Sequence, residues 1–264
     1  MAELQVEVAD GIAEVRLNRP EKKNALTLRL FEEIAAAGER LKAEAGLRAV
    51  ILAGQGGDFC AGLDLAVMQS LAGRIDEMRA RLLTPLGGGA ANWFQRPCAV
   101  WAELPVPVIA AIEGVCLGGG LQLALAADIR ICRPDARLAV MEAKWGMIPD
   151  MGITQSLPKL MAADRAKELM MTARMISGDE AAALGLVTRL ADDPPAAARA
   201  LAEEISGRSP EAVAGIKRLV DTAWTMPPGE GLRLEAEIQA PILGSANQIE
   251  AVMAGLARRT PEFG

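Results

Sequence analysis

The chain has 264 residues, 51% of them hydrophobic, and a net charge of −6 from 28 Lys and Arg against 34 Asp and Glu. It contains no histidine and no tyrosine, which excludes Ser-His-Asp and Cys-His catalysis and the common zinc sites within the chain, and leaves carboxylate, lysine or cysteine as general acid or base. No basic block with interleaved aromatics is present, so nucleic acid is not expected as a standing partner.

The length suits one α/β domain, or a domain with a helical appendage. The opening MAELQVEVADG lacks the charged and apolar regions of a signal peptide, and no stretch of about 18 residues is free of polar breaks; a soluble, cytoplasmic protein without a membrane partner is expected. Cys60, Cys98, Cys116 and Cys132 stand singly, three of them in apolar runs, so buried thiols are expected rather than disulfides or metal ligands.

In chain order, residues 4–8 and 12–17 alternate around Asp10-Gly11 and read as a β-hairpin. The polar stretch Asn18 to Asn24 reads as a surface loop. From Thr27 a helix is expected, with Leu28, Phe31, Ile34, Gly38 and Leu41 on one apolar face. Residues 49–53 (AVILA) read as a buried parallel strand. A shift of 58 residues then superposes Val50, Ile51, Ala53, Gly56, Gly62, Leu63, Leu65 and Ala66 on Val108, Ile109, Ala111, Gly114, Gly120, Leu121, Leu123 and Ala124. Two strand–turn–helix units on one apolar plan suggest a repeating, spiral-like α/β architecture.

Residues 67–104 are less regular, with a helical piece near 74–83 and a flexible Gly87-Gly88-Gly89 suited to a movable wall beside a site. The stretch 113–128, EGVCLGGGLQLALAAD, reads as a strand end, a glycine turn and the first turns of an apolar helix. Glycines 118–120 let a backbone come close to a guest, and free N–H groups at a helix start favour an anion or an oxygen about to become one; a turn that merely packs strand on helix fits these residues equally. Residues 128–132 form another short strand, followed by a turn at Pro134-Asp135. Helices are expected at 163–174, 178–184, 194–206, 209–223, 230–240 and 246–258. Pro194-Pro195 reads as the linker that divides an α/β core, 1–194, from a helical region, 195–264.

Taken together, NRPEKKNAL (18–26), FCAGLDL (59–65), the run 107–131 around LGGGL, GMIPDMGITQSLP (146–158), SGDEAAALGLV (177–187) and ARRTPEF (257–263) make the chain resemble the enoyl-CoA hydratase/isomerase (crotonase) family. The resemblance implies a spiral of ββα units forming an acyl-CoA-binding core, and a C-terminal helical region that drives assembly into a homotrimer or a dimer of trimers. It implies acyl-CoA thioester chemistry, with coenzyme A entering as part of the substrate and no permanently bound cofactor or metal. By motif, the N–H groups of Leu63 and Gly119 would form an oxyanion hole for the thioester oxygen, and the coenzyme would lie near Lys22, Ala25, Ala61, Asp64 and Leu65.

Hydratases of the family use two glutamates. One is present as Glu142, but the other position holds Gln122, which cannot shuttle a proton. Asp150 stands where family hydratases usually have glycine and where dienoyl-CoA isomerases of the family place an aspartate. The leading expectation is therefore isomerisation of an enoyl- or dienoyl-CoA, with Glu142 and Asp150 moving a proton between carbons, Leu63 and Gly119 holding the enolate, and Gln122 orienting a water or the thioester. The alternatives are a hydratase in which Asp150 replaces the missing glutamate, and a non-catalytic acyl-CoA-binding trimer. Each residue also has a plain structural role open to it: Asp150 as a helix cap, Glu142 as an exposed charge beside Lys144, Gln122 as the partner of a buried backbone group. Trp93, Phe94 and Trp101 would bound the acyl pocket or pack in the core.

Overall fold

The computed structural model describes residues 2–264. Strands β1 (Leu4–Ala9) and β2 (Ile12–Leu17) form the expected hairpin. Asp10 and Gly11 between them both have positive φ, 53° and 73°, the turn whose twist suits paired antiparallel strands. Helix α1 (Leu28–Lys42) starts where Thr27 accepts the Leu30 N–H at 3.0 Å, and it buries Leu30, Phe31, Ile34 and Leu41. After β3 (Ala49–Gly54), the segment read as irregular carries three short helices, α2 (Leu65–Leu71), α3 (Ile75–Leu83) and α4 (Arg96–Ala102). Of these, α3 is foreshadowed as a helical piece and the start of α2 by the repeated strand–turn–helix plan, while α4 is not. Then come β4 (Val108–Ile112), β5 (Val115–Leu117), α5 (Gly119–Leu125), β6 (Ile129–Cys132), β7 (Arg137–Ala139), α6 (Ile153–Ser156), α7 (Ala163–Thr172), β8 (Ile176–Ser177), α8 (Gly178–Ala183) and β9 (Arg189–Leu190). The chain ends in α9 (Pro194–Ser206), α10 (Pro210–Ala223), α11 (Pro228–Ile242) and α12 (Ala246–Ala257), close to the expected spans.

Six strands form one sheet in the order β1-β2-β3-β4-β6-β9, parallel except for the hairpin, and β5-β7-β8 form a smaller second sheet. The 58-residue echo is the register of the large sheet: Val50 pairs with Val108 and Ile51 with Ile109. Both faces of β3 are covered, as a parallel strand requires. Val50 and Leu52 join the large core cluster with Leu30, Phe31, Ile34 and Trp101. Ala49, Ile51 and Ala53 join a smaller cluster closed by Ala198 and Ala202 of α9. Helix α9 thus forms the second outer layer of the α/β packing, beyond the boundary expected at residue 194; Pro194 opens it and Asp193 caps it through the Ala196 N–H at 3.0 Å.

Helix α10 buries none of its residues fully but is tied to the sheet by Lys217. The Lys217 ammonium donates to Asp128 Oδ2 at 2.8 Å and to the carbonyls of Trp101 and Val106 at 3.2 and 3.0 Å. All four cysteines are buried and free. Among the described residues no helix is long and apolar enough to cross a membrane.

The stretch Asn18 to Asn24 differs from the loop read in the sequence. Asn24 is wholly buried, with φ of 55°. Its amide donates to the carbonyls of Gln55 and Asp58 at 2.9 and 2.7 Å, and its oxygen accepts the Arg19 N–H at 2.9 Å. One side chain thus joins the loop before α1 to the turn after β3. Replacing it leaves buried backbone groups unpaired. Asn24→Ala is expected to cost roughly 2–4 kcal/mol and to lower Tm by at least ~5 °C in a thermal melt; an unchanged melt would show that these bonds are dispensable.

Candidate active site

Two turns converge above the parallel strands. Gly62, at φ 86°, lies so near the second turn that a Cβ there would stand 2.8 Å from the Leu117 carbonyl oxygen, and a Cβ at Gly120 would stand 2.6 Å from Cys60 Cβ. Gly118, at φ 52°, turns the chain from β5 into α5. The Leu117 N–H donates to the Cys60 carbonyl at 2.9 Å, and the Leu26 N–H to the Gly62 carbonyl at 2.8 Å. Neither the Leu63 N–H nor the Gly119 N–H has an acceptor among the described residues.

A cleft of about 360 Å³ opens over these turns. It brings together eight of the ten residues singled out from the sequence: Lys22, Ala25, Ala61, Leu63, Asp64, Leu65, Gly119 and Glu142. Met68, Met141, Trp145 and Met147 complete much of its wall. Met141 precedes Glu142 in sequence, which is the one signal that could have pointed to it. Arg19 escaped notice too; it donates to Asp64 Oδ2 at 2.9 Å, while Asp64 Oδ1 accepts the Ala66 N–H at 2.9 Å at the start of α2. Burial raises the Asp64 pKa, but the Ala66 N–H and Arg19 outweigh it and hold the carboxyl below its ordinary range. Both Asp64 oxygens already have protein donors, whereas Lys22 has no carboxylate partner within ion-pair distance among the described residues.

Gln122 and Asp150 do not line the cleft. Gln122 is 2% exposed beneath it, with Nε2 donating to Glu142 Oε1 at 2.6 Å and Oε1 accepting the Met151 N–H at 2.8 Å. The buried-backbone role considered for Gln122 is therefore present. Glu142 is 7% exposed, not a surface charge, and its Oε2 is buried with no partner among the described residues. Burial pushes its pKa up, and the charge of Asp150 adds to that, while its own backbone and the Gln122 amide pull the other way. Burial also raises the Asp150 pKa. Asp150 does not cap the next helix: α6 starts after Gly152, at φ 90°, with no side-chain cap. Trp101 is fully buried, and Trp93 stacks on Phe31 with ring centroids 5.3 Å apart, so these rings serve the core.

The model of the enoyl-CoA hydratase/isomerase family matches residues 7–264. The chain belongs to the enoyl-CoA hydratase/isomerase family. It is 34% identical over 259 residues to the peroxisomal Delta(3,5)-Delta(2,4)-dienoyl-CoA isomerase of Arabidopsis thaliana, covering 94% of this chain and 90% of that protein. It is 34% identical over 266 residues to the Bacillus subtilis (strain 168) protein named probable enoyl-CoA hydratase, covering 100% and 99%. The mouse mitochondrial methylglutaconyl-CoA hydratase is 37% identical over 169 residues, which is 64% of this chain and 50% of that protein, so this match spans half of the relative's length. The crystal structure of an enoyl-CoA hydratase from Bacillus anthracis aligns over 99% of each chain with a TM-score of 0.89 at 33% identity. The fold is the α/β crotonase fold with its helical C-terminal region, and the chain is an enzyme of the isomerase or lyase kind.

In this family member the buried carboxylate carries a stability cost whose sign follows from its pKa. Below the ordinary glutamate value near 4.5 both folded and unfolded chains hold the Glu142 proton. As pH rises, the unfolded chain releases it first, and stability falls until the folded pKa is passed. Glu142→Gln is therefore expected to raise Tm by roughly 2–4 °C at neutral pH, on the order of 1 kcal/mol, with the gain shrinking below pH ~4.5. Melting curves of the two proteins across pH check this; a variant less stable at pH 7 would contradict it.

Proposed function

We propose that the protein isomerises the double bond of an enoyl- or dienoyl-CoA thioester through an enolate. The observation that carries this reading is the asymmetry of the cleft. Of the two carboxylates that line it, Asp64 is committed to Arg19 and the Ala66 N–H, whereas Glu142 has a single oxygen left over for chemistry, and the place of a second hydratase-type glutamate is taken by a neutral amide already bonded on both ends.

In this reading the thioester oxygen accepts the Leu63 and Gly119 N–H groups. Glu142 Oε2 takes the α-proton, and negative charge moves onto that oxygen, where preorganised donors stabilise it; loss of one such donor in other enzymes costs about 10²–10³ in rate. Asp150 lies outside the cleft lining on the turn before Met151, so in this reading the acyl chain must run past Glu142 to that turn, where Asp150 delivers a proton at the γ-carbon of a 3-enoyl chain, or further along a dienoyl chain, and the double bond has shifted. A carboxyl kept above its ordinary pKa by burial suits a group that must both take and return a proton near neutral pH. Lys22, Ala25, Ala61, Asp64 and Leu65, which line the mouth, would receive the coenzyme A portion. Asp64 would do so through its backbone, since its carboxylate is spent on Arg19 and α2.

Assembly as a homotrimer or a dimer of trimers in the cytoplasm is part of the same reading. It is supported by Ile216, Trp224, Leu232, Leu243 and Leu256 on the C-terminal helices and their connection, which are 61% to 77% exposed in the single chain. Hydration remains the second reading, favoured by the relatives named enoyl-CoA hydratases, with Asp150 in place of the missing glutamate.

Turnover on 2-enoyl-, 3-enoyl- and dienoyl-CoA in deuterated, ¹⁸O-enriched water separates the readings. Isomerisation of a 3-enoyl or dienoyl chain predicts deuterium in the product at the carbon Asp150 protonates, α-deuterium in recovered substrate, and no ¹⁸O in the product. Glu142→Gln should slow α-exchange by about 10²–10⁴, and Asp150→Asn should slow the bond shift more than the exchange. Hydratase activity that survives both substitutions would overturn the proposal.

A further inference from the structure

Gln122 stands in the chain as a fully buried polar side chain that cannot shuttle a proton and does not reach the cleft. Its two hydrogen bonds nonetheless determine more than packing. The Met151 N–H can only donate, so the atom of Gln122 that faces it at 2.8 Å must be the carbonyl oxygen. The amide orientation follows from this, and places Nε2 against Glu142 Oε1 at 2.6 Å. A neutral amide nitrogen can only donate in turn. Glu142 Oε1 therefore accepts whenever this bond is present, and because a carboxyl's carbonyl oxygen is a better acceptor than its hydroxyl oxygen, the bond favours a proton on the other oxygen, Oε2, the one with no protein partner among the described residues.

We propose that Gln122 is a positioning residue that directs the proton of Glu142 to Oε2, using the Met151 backbone N–H as its fixed reference. This rests on the reading of Glu142 as the base. The same two bonds hold the turn bearing Asp150, one residue before Met151, against the Glu142 segment, so the two carboxyl-bearing pieces of chain keep one relative position.

A glutamate at position 122 has the same shape and a different consequence. It accepts from the Met151 N–H equally well, but its second oxygen then faces Glu142 Oε1, and two carboxylates at that distance share a proton between them. The shared proton is drawn away from Oε2. Burial first and then the charge of Asp150 raise the Glu142 pKa, and an added charge at 122, facing Glu142 Oε1 directly, pushes it the same way. Across the cleft, Asp64 is held by Arg19, Lys22 has no carboxylate within ion-pair distance among the described residues, and Lys144 lies over the Trp145 ring at 5.7 Å.

The test follows the Glu142 carboxyl stretch by infrared difference spectroscopy against Glu142→Gln in the full chain, together with the pH dependence of α-proton exchange. In Gln122→Glu the Glu142 midpoint should rise by at least about one pH unit, the acid limb of kcat should move with it, and KM should stay within about twofold because position 122 does not touch the cleft. Gln122→Met, which keeps the volume and removes both bonds, should also raise the midpoint and lower kcat about tenfold at constant KM; it serves if the glutamate variant fails to fold. An unchanged midpoint and pH profile in both variants would reduce Gln122 to filler, and a KM change at constant kcat would make it a substrate contact; either result overturns the proposal. The same midpoint shift in a protein that exchanges no α-proton on any thioester would support the role of Gln122 while removing the reaction assigned to Glu142.

Discussion

The contact between the two glycine turns governs the site. At Gly62 and Gly120 the strand ends close to a separation that one Cβ on either side would forbid, and the backbone takes up the space with hydrogen bonds between Leu117 and Cys60. This contact is inherited from the sheet: β3 pairs with β4 at an offset of 58 residues, and the same offset relates Gly62 to Gly120. The paired strands therefore deliver their two turns to one place, each with an N–H group left without an acceptor. The loop before α1 is fastened to the same spot by Asn24, by the Leu26 N–H and by Arg19, which donates to the Ala25 carbonyl at 2.5 Å and to Asp64. Much of the floor of the cleft is thus backbone, held by Arg19, Asn24 and Leu26, which do not line it.

Against this satisfied scaffold the buried acceptor at Glu142 stands out. Among the described residues the cations most withdrawn from solvent have partners: buried Arg130 donates to the carbonyls of Leu186 and Ala127, and partly buried Lys217 to Asp128 and two carbonyls. Burial still lowers the Arg130 pKa to about 10 and raises that of Asp128, so these groups are costly even when paired. Among the described residues two buried side-chain polar atoms lack any partner: Trp101 Nε1 in the core, and Glu142 Oε2 at the cleft. An unpaired acceptor in low dielectric costs about 1–3 kcal/mol, and a fold that retains one beside two unoccupied N–H donors keeps them where charge can appear and disappear. The Trp101 atom has no such neighbourhood, and nothing in the structure accounts for it.

The sequence made the larger elements legible because they are periodic over enough residues. The hairpin, α1, β3 and the long helices from α7 onward carry their pattern, and α1, α9, α10 and α12 also carry side-chain caps at Thr27, Asp193, Ser209 and Ser245. Helix α4 escaped because its seven residues follow no repeated glycine turn of the kind that marked the starts of α2 and α5, and β7 to β9 because two or three residues cannot show alternation. Asn24 was misread for a different reason: polarity marks a loop, but burial depends on a turn more than 30 residues away. Eight of the positions given by motif lie around one cleft, because each motif is local. The pairing of Asp64 with Arg19 and the seating of Gln122 against Met151 were invisible, since each joins residues far apart in the chain.

The difference between adding water and moving a double bond then rests on few atoms. Backbone donors are indifferent to side chains, so relatives with either name, at 34% identity, can keep the same donors while their chemistry diverges. Water addition by two glutamates needs two proton carriers around one water molecule. Here the carrier that would stand at 122 is an amide whose donor and acceptor ends are both committed. The remaining carboxyl, Asp150, belongs to the turn that follows Glu142, and burial keeps its proton affinity high. Two carboxyls of raised pKa on successive pieces of one loop, with a rigid amide between that loop and the glycine turn, fit one proton leaving one carbon and another arriving at a second better than they fit a water held between two glutamates.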